Sequence, residues 1–267
     1  NTKDELDLTG NSAYTLVDSN FKNVTGLEIL NADTDAGDTA FSLSTAGFFN
    51  TAFSSGVTMD LDFGDAAHTI NAATYSQAMT IVADMESINE DINITTGDGA
   101  DSVTLVTVGV ITAEVNISTG AGNDTIKYTH STATMVLTND VHDFNGGAGK
   151  DTIELAGYTA AEVDHVTITI GAGESTLANF DVIKGFVLGT ASVASMKLDF
   201  AGSADHASAV TNSAVTGYTT SELLITSDAN AAVTFSGSKA SALTVAEKAA
   251  AVQAVFTTAN DTVMFTA

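Results

Sequence analysis

The chain has 267 residues, 33 acidic side chains against 8 basic ones, a formal charge of -25 and 44% hydrophobic residues. The hydrophobic share is enough to bury a core and argues against a disordered acidic tail, while the acidic surface and the lack of any Arg argue against nucleic acid as a partner. No cysteine is present, which excludes disulfides, thiolate metal sites and Cys nucleophiles, and no apolar run is long enough for a membrane-spanning helix.

The first residues are polar (Asp4, Glu5, Asp7), with neither a basic n-region nor an apolar h-region, so no cleavable export signal is read at the start and the chain is expected to be a piece of a longer protein. Proline is absent, so every reversal falls to Gly, Asn, Asp or Ser. Between the reversals lie short runs of period two: Val57 to Phe63, Ile92 to Ile94, Val103 to Leu105, Val115 to Ile117, Ile126 to Tyr128, Val166 to Ile170 and Met196 to Phe200. Such alternation in β-branched residues predicts strands with one buried face. Helix signals are few. Thr244 and Glu247 have the spacing of a capping box ahead of an Ala-rich stretch reaching Phe256, which predicts one helix there, and a single helical turn is expected from Thr159, with Glu162 three residues on. From about Val57 to Asp199 the sequence is repetitive, and after Gly202 it becomes rich in Ala, Ser and Thr.

Three segments share one pattern. Gly97-Asp98-Gly99-Ala100-Asp101, Gly120-Ala121-Gly122-Asn123-Asp124 and Gly147-Ala148-Gly149-Lys150-Asp151 are each a Gly-x-Gly-x-Asp turn followed at once by a β-branched strand start. Thr96 and Thr119 precede the first two copies and Gly146 the third. Equivalent glycines recur after 23 and then 27 residues, which implies one turn per coil of two or three short strands. Stacked coils would place Asp101, Asp124 and Asp151 in a ladder at roughly 4.7–4.9 Å per step. Carboxylates that close repel by roughly 3 kcal/mol at an effective dielectric near 20, and a cation between them removes that cost. Calcium, with oxygen ligands at about 2.3–2.6 Å, spans such a step, and glycine lets carbonyl oxygens approach it. The alternative is an ordinary glycine turn whose Asp caps backbone amides. Asp33, Asp35 and Asp38, then Asp60, Asp62 and Asp65, and Asp140 with Asp143, are further oxygen-rich groups that fit a solvated acidic loop as well as an ion.

These turns resemble the glycine-rich nonapeptide of repeats-in-toxin proteins, a calcium-binding repeat of the parallel β-helix. The resemblance implies that Asp101, Asp124 and Asp151 are carboxylate ligands, that Gly97, Gly99, Gly120, Gly122, Gly147 and Gly149 supply carbonyls, and that Asp98 and Asn123 are extra oxygens. Lys150 stands where Asn123 would recur, so the third turn is expected to bind calcium through one neighbour only. Val24 to Asn31 and Asp84 to Asn89 are similar to the punctuation of Gram-negative surface-layer proteins exported by type I secretion. Phe180 to Phe186 and Met196 to Phe200 are similar to the strand pair that follows the nonapeptides in many repeats-in-toxin C-terminal regions.

The expected fold is therefore all-β: parallel β-solenoid or β-roll-like coils with calcium-binding glycine-aspartate turns over residues 1–201, then an Ala/Ser/Thr-rich β region with one short helix over 202–267. The expected function is that of a secreted structural surface-layer piece at the bacterial cell surface, folding and self-associating with extracellular calcium. A calcium module of an adhesin, or the non-catalytic module of a secreted hydrolase, is the alternative. Catalysis is not expected: His68, His130, His142, His165 and His206 are scattered singly, as surface or turn residues, and H-E-x-x-H and G-x-S-x-G are absent.

Overall fold

Strands that alternate apolar and polar residues must bury one face, and here they bury it against one another. A computed structural model describes residues 3–10, 12–33, 39–85, 89–107, 111–130, 142–158, 166–171, 174–176, 179–186, 196–201, 213–227, 232–255 and 264–265. From Glu5 onward the chain lays strands alternately into two eight-stranded sheets. The first sheet holds Glu5–Leu8, Ile29–Asp33, Val57–Phe63, Met79–Met85, Ser102–Thr107, Thr125–His130, Thr152–Ala156 and Val182–Lys184. The second holds Tyr14–Val17, Phe41–Ser44, His68–Asn71, Ile92–Thr95, Val115–Ser118, His142–Asn145, Val166–Gly171 and Lys197–Ala201. Neighbouring strands in both sheets pair in parallel, for example Thr80↔Ser102↔Thr125↔Thr152↔Val182.

This is the expected parallel β-solenoid. Its first strand, Glu5–Leu8, falls within the expected span of 1–201 and well before Val57, where the repetition becomes visible in sequence, because the early coils turn without the glycine pattern. The proposed turn at Thr159 and Glu162 lies outside the described residues.

The core fills the space between the sheets. In Val57–Phe63 the inward residues Val57, Met59, Leu61 and Phe63 are buried, and their register partners Met79, Ile81, Ala83 and Met85 stack on them. At the corner joining the second sheet to the next strand of the first, the early coils use aromatic packing. Phe21 and Phe49 lie 4.9 Å apart between ring centroids, Phe49 and Phe53 4.6 Å, and Phe49 and Tyr75 5.3 Å. A short helix at Gly47–Ala52 builds this corner, and the Asp18 carboxylate accepts the amides of both Ala46 and Phe49 at 2.9 Å. In later coils the same corner is made of glycine turns, and those turns carry the candidate site.

His68, His130 and His142 are buried in this unit, not surface or turn residues as the sequence suggested. His68 shows why an imidazole suits the interior. Its Nδ1 accepts the Phe41 amide of the preceding coil at 3.2 Å, its Nε2 lies 3.1 Å from the Gly64 carbonyl, and its ring stacks on Phe63 with centroids 4.0 Å apart. An amide donor at Nδ1 fixes the neutral Nε2–H tautomer. Burial accordingly holds its pKa below the ordinary value, against the Gly64 hydrogen bond. His142 accepts the Val115 amide at 3.0 Å in the same way. His165 and His206 lie outside the described residues.

The outer faces of the two sheets differ. The first carries Glu5, Asp7, Asp60, Asp62, Asp84, Lys127 and Glu154, with Asp62 and Asp84 in register. On the second, outward residues form two columns: Thr15, Ser42, Thr69, Asn93, Asn116 and Asp143, and Val17, Ser44, Asn71, Thr95, Ser118 and Asn145.

The chain divides into two compact units, Asn1–Phe200 and Ala201–Ala267. The second has a sheet of Ser213–Ala214, Leu224–Ser227, Ala232–Ser236 and Met264–Phe265, antiparallel except for the last pair, and its own core of Val215, Leu223, Ile225, Val233, Ala251 and Val252. The expected helix is present at Val245–Val255. Its capping box is complete: Glu247 accepts the Thr244 amide at 2.8 Å, and Thr244 Oγ1 accepts the Glu247 amide at 3.3 Å. Among the described residues no helix is long and apolar enough to cross a membrane.

Candidate functional site

The three Gly-x-Gly-x-Asp turns stack directly on one another. Ala121 and Gly122 pair in parallel with Ala148 and Gly149, adding a short third strand to those coils. The Gly97 carbonyl accepts the Ala121 amide at 2.9 Å, and the Gly120 carbonyl accepts the Ala148 amide at 2.8 Å. Glycine is required by this closeness. A Cβ on Gly120 would stand 2.2 Å from the Gly97 carbonyl oxygen, and one on Gly147 would stand 1.8 Å from that of Gly120, both at residues with φ near +77° (+78° and +76°). Gly122 and Gly149 face the carbonyls of Gly99 and Gly122 in the same manner, and Gly97 and Gly99 face those of Tyr75 and Gln77. In the fold the first task of these glycines is to let one turn sit on the next, ahead of the expected one of aiming carbonyls at an ion.

The last Asp of each turn closes the stack from inside. Asp101, Asp124 and Asp151 retain only 1–2% of their accessible surface. Oδ1 of Asp101 accepts the Met79 amide at 2.7 Å, Oδ1 of Asp124 accepts the Asp101 amide at 2.7 Å, and Oδ1 of Asp151 accepts the Asp124 amide at 2.8 Å. The offsets are 22, 23 and 27 residues, one coil each. The ladder expected from spacing is thus present, and its carboxylates do cap amides, but the amides belong to the preceding coil and not to their own turn.

A fourth rung, which the sequence reading did not assign, is Asp181, whose Oδ1 accepts the Asp151 amide at 3.0 Å. It lacks the glycines. The signal shared by all four is an Asp immediately before a strand whose second residue is Val or Ile: Asp101-Ser-Val, Asp124-Thr-Ile, Asp151-Thr-Ile and Asp181-Val-Ile.

The second oxygen of Asp101, of Asp124 and of Asp151 is buried and has no donor in hydrogen-bond geometry, the Gly97 amide being a neighbour of Asp101 without bonding that oxygen. The Thr96 and Thr119 hydroxyls are neighbours of Asp101 and Asp124, but each spends its single proton on a carbonyl of the next coil, Thr96 on Thr119 and Thr119 on Gly146, both at 3.0 Å. Burial and like-charge neighbours therefore push these carboxyls up. Asp124 is raised to about 7, chiefly by desolvation and further by the charges of Asp101 and Asp151; the Asp101 amide offsets part of this. Asp151 is raised to about 6, first by burial and then by Asp181 and Glu174, against the Asp124 amide. Asp101 and Asp181 are raised in the same direction, again mainly by burial.

The remaining candidates are not in the ladder. Asp98 is exposed. Asn123 Oδ1 accepts the Lys150 amide at 3.0 Å, and the Lys150 ammonium lies 5.2 Å from the centre of the Phe180 ring. Asp60 and Asp62 point outward from the first sheet, Asp65 accepts both Asn89 nitrogens, and Asp143 accepts the Thr169 hydroxyl on the outside of the second sheet. Asp35, Asp38 and Asp140 lie outside the described residues, as does the side chain of Asp33.

The donors at the turns are oxygens only, which suits a hard cation and not zinc or copper. Among the described residues no three His, Cys, Asp or Glu side chains gather about one point. An ion here would thus draw one or two ligands from Asp101, Asp124 and Asp151 and the rest from turn carbonyls, whose second lone pair is left by a single amide bond. The donor-free carboxylate oxygens fit that task. Compared with known protein families, with curated proteins and with solved structures, the chain matches none of them.

Proposed function

We propose that this chain is a structural piece of a secreted bacterial surface-layer protein whose glycine-aspartate turns take up calcium outside the cell, after which it self-associates, and that it catalyses no reaction. The observation that carries the reading is the row of buried carboxylates Asp101, Asp124 and Asp151, each with one oxygen that no donor satisfies. Left ionised, such groups cost free energy through desolvation and mutual repulsion. A proton removes that cost at low pH and a calcium ion removes it at neutral pH. Where calcium is scarce the coils are weakened, and where it is millimolar they are locked, which would suit export before folding. The resemblance of the turns to repeats-in-toxin nonapeptides supports calcium over other hard cations.

Thermal unfolding with millimolar calcium and with chelator tests this. Bound ions stabilise by RT ln(1 + [L]/Kd), so the midpoint is expected to rise with calcium concentration. Equal midpoints would remove calcium from the proposal. A chain that folds with calcium but stays monomeric at high concentration would favour an adhesin module, or the non-catalytic module of a secreted hydrolase.

A further inference from the structure

Self-association confronts a molecule of formal charge -25 with its own copy, so the contact must lie where the charge does not. The outer face of the first sheet is unsuitable. Asp60 and Asp84 are exposed there and Asp62 is in register with Asp84, and each carboxylate pair brought to about 5 Å would cost roughly 3 kcal/mol at an effective dielectric near 20.

The second sheet offers the opposite surface. Across its first six strands the two outward columns hold hydroxyls and amides, one carboxylate (Asp143) and one aliphatic side chain (Val17). Thr15, Ser44, Thr69, Asn71 and Asn93 are exposed. Lateral bonds hold part of the array in place: Asn116 Nδ2 donates to Asn93 Oδ1 at 3.2 Å. Charged groups stand at its margins, namely Asp91 and Glu114 before two of its strands and the Lys197–Asp199 ion pair on the last strand of the sheet.

We infer that the outer face of the second sheet, centred on Thr69, Asn71 and Asn93, is the surface through which one copy of this chain packs against another. The inference rests on the self-association in the proposed function and assigns its contact. Serine, threonine and asparagine each donate and accept, so a face made of them is complementary to itself and suits a two-fold contact. Its columns repeat at the strand spacing of about 4.8 Å, so two copies can register coil against coil. A sugar polymer is the less fitting occupant, because the columns hold no aromatic side chain on which a ring could stack. Six strands span only about 24 Å, narrower than a standard interface. The contact is therefore weak between two copies and gains strength from repetition in an array.

Sedimentation velocity of the whole chain in calcium, over a wide concentration range, tests the assignment. The wild type is expected to associate. Thr69→Asp with Asn71→Asp places four new charges across a two-fold contact, and should raise the concentration needed by at least tenfold with an unchanged melting midpoint. Asp60→Asn, on the other sheet, should leave association as it was or strengthen it. Should the double variant melt early, Asn93→Cys gives an independent readout: the chain has no other cysteine, and oxidation should link two copies into a dimer. A double variant that folds and associates like the wild type, or an Asn93→Cys protein that associates without cross-linking, would overturn this face and leave self-association standing. A wild type that stays monomeric, whether or not it binds a neutral polysaccharide, would overturn both.

Discussion

Oδ1 of Asp124 accepts the backbone amide of Asp101 at 2.7 Å, while Oδ2 of the same carboxylate is buried without a donor. One side chain thus serves the fold with one oxygen and leaves the other available, and the two roles can be separated by mutation. Asp124→Ala removes the acceptor and strands the Asp101 amide, at a cost of about 1–3 kcal/mol with or without calcium. Asp124→Asn keeps an acceptor and deletes the charge, so it should be at least as stable as the wild type in chelator at pH 8 and gain less from calcium. Asp199→Ala breaks an exposed ion pair with Lys197 and should change stability by less than about 0.5 kcal/mol. Urea unfolding of the three variants checks this, and calorimetry should find fewer ions bound only in the Asp124 variants.

The raised pKa values give the chelated protein a pH dependence of known sign. Asp124 titrates near 7 in the fold and near its ordinary 3.8 in the unfolded chain, so the folded state holds the proton more tightly. Stability from this group is present in full below the unfolded value and is lost as pH rises through the folded one. In chelator, the wild type should lose on the order of 2 kcal/mol relative to Asp124→Asn between pH 5 and pH 8. In calcium the trend should reverse, since the ion binds the ionised carboxylate. Urea midpoints at the two pH values, with and without calcium, decide it.

His68 acts in the other direction. Its pKa is lowered in the fold, so its contribution is present above the unfolded value of 6.5 and lost as pH falls through and below it. Protonation would set an N–H against the Phe41 amide. The calcium-loaded protein should therefore weaken between pH 7 and pH 5, and His68→Gln should flatten that slope while costing stability at pH 7. Nitrogen chemical shifts in the imidazole should report an unprotonated Nδ1 at pH 7.

Two glycines with opposite surroundings test the stacking of the turns. Gly147 has φ of +76° and carbonyl backbone where a Cβ would go, so Gly147→Ala should cost about 2–4 kcal/mol or prevent folding. Gly47, at the start of a short helix, has nothing within 4 Å of that position, so Gly47→Ala should be neutral or stabilise by up to about 1 kcal/mol. Denaturant melts of the pair provide the comparison.

The ladder and the solenoid were legible because both rest on spacing. Glycine, aspartate and a β-branched residue recur at coil intervals, and a recurring turn implies a stack. What escaped lacks the glycine turn that made the rest stand out. Asp181 joins the ladder without glycines, through its place before Val182. The strands from Glu5 to Ser44 belong to coils whose corners are filled by Phe21, Phe49 and Phe53, and aromatic residues scattered across a sequence do not announce a shared corner. A single His carries no sign of its surroundings in sequence; only the register shows His68 beneath Phe41 and His142 beneath Val115. The conformation of the glycines is legible in sequence, but the neighbour requiring it is the turn one coil earlier, as Gly97 is for Gly120 and Gly120 for Gly147.

The hydrogen bonds of the ladder all point one way along the chain. The amide of Met79 waits for Asp101, that of Asp101 for Asp124, that of Asp124 for Asp151 and that of Asp151 for Asp181. No coil in this stretch satisfies its own buried amide, so each is completed only when its successor is laid down. The two ends of the stretch are therefore unequal: losing the Met79 coil leaves Asp101 with a carboxylate oxygen to solvate, whereas losing the Asp181 coil strands a peptide N–H. In a linear array whose stability is a sum over neighbours, that asymmetry makes removal of the Asp181 coil the costlier of the two cuts, while the Met79 coil is held further by its pairing with Val57–Phe63.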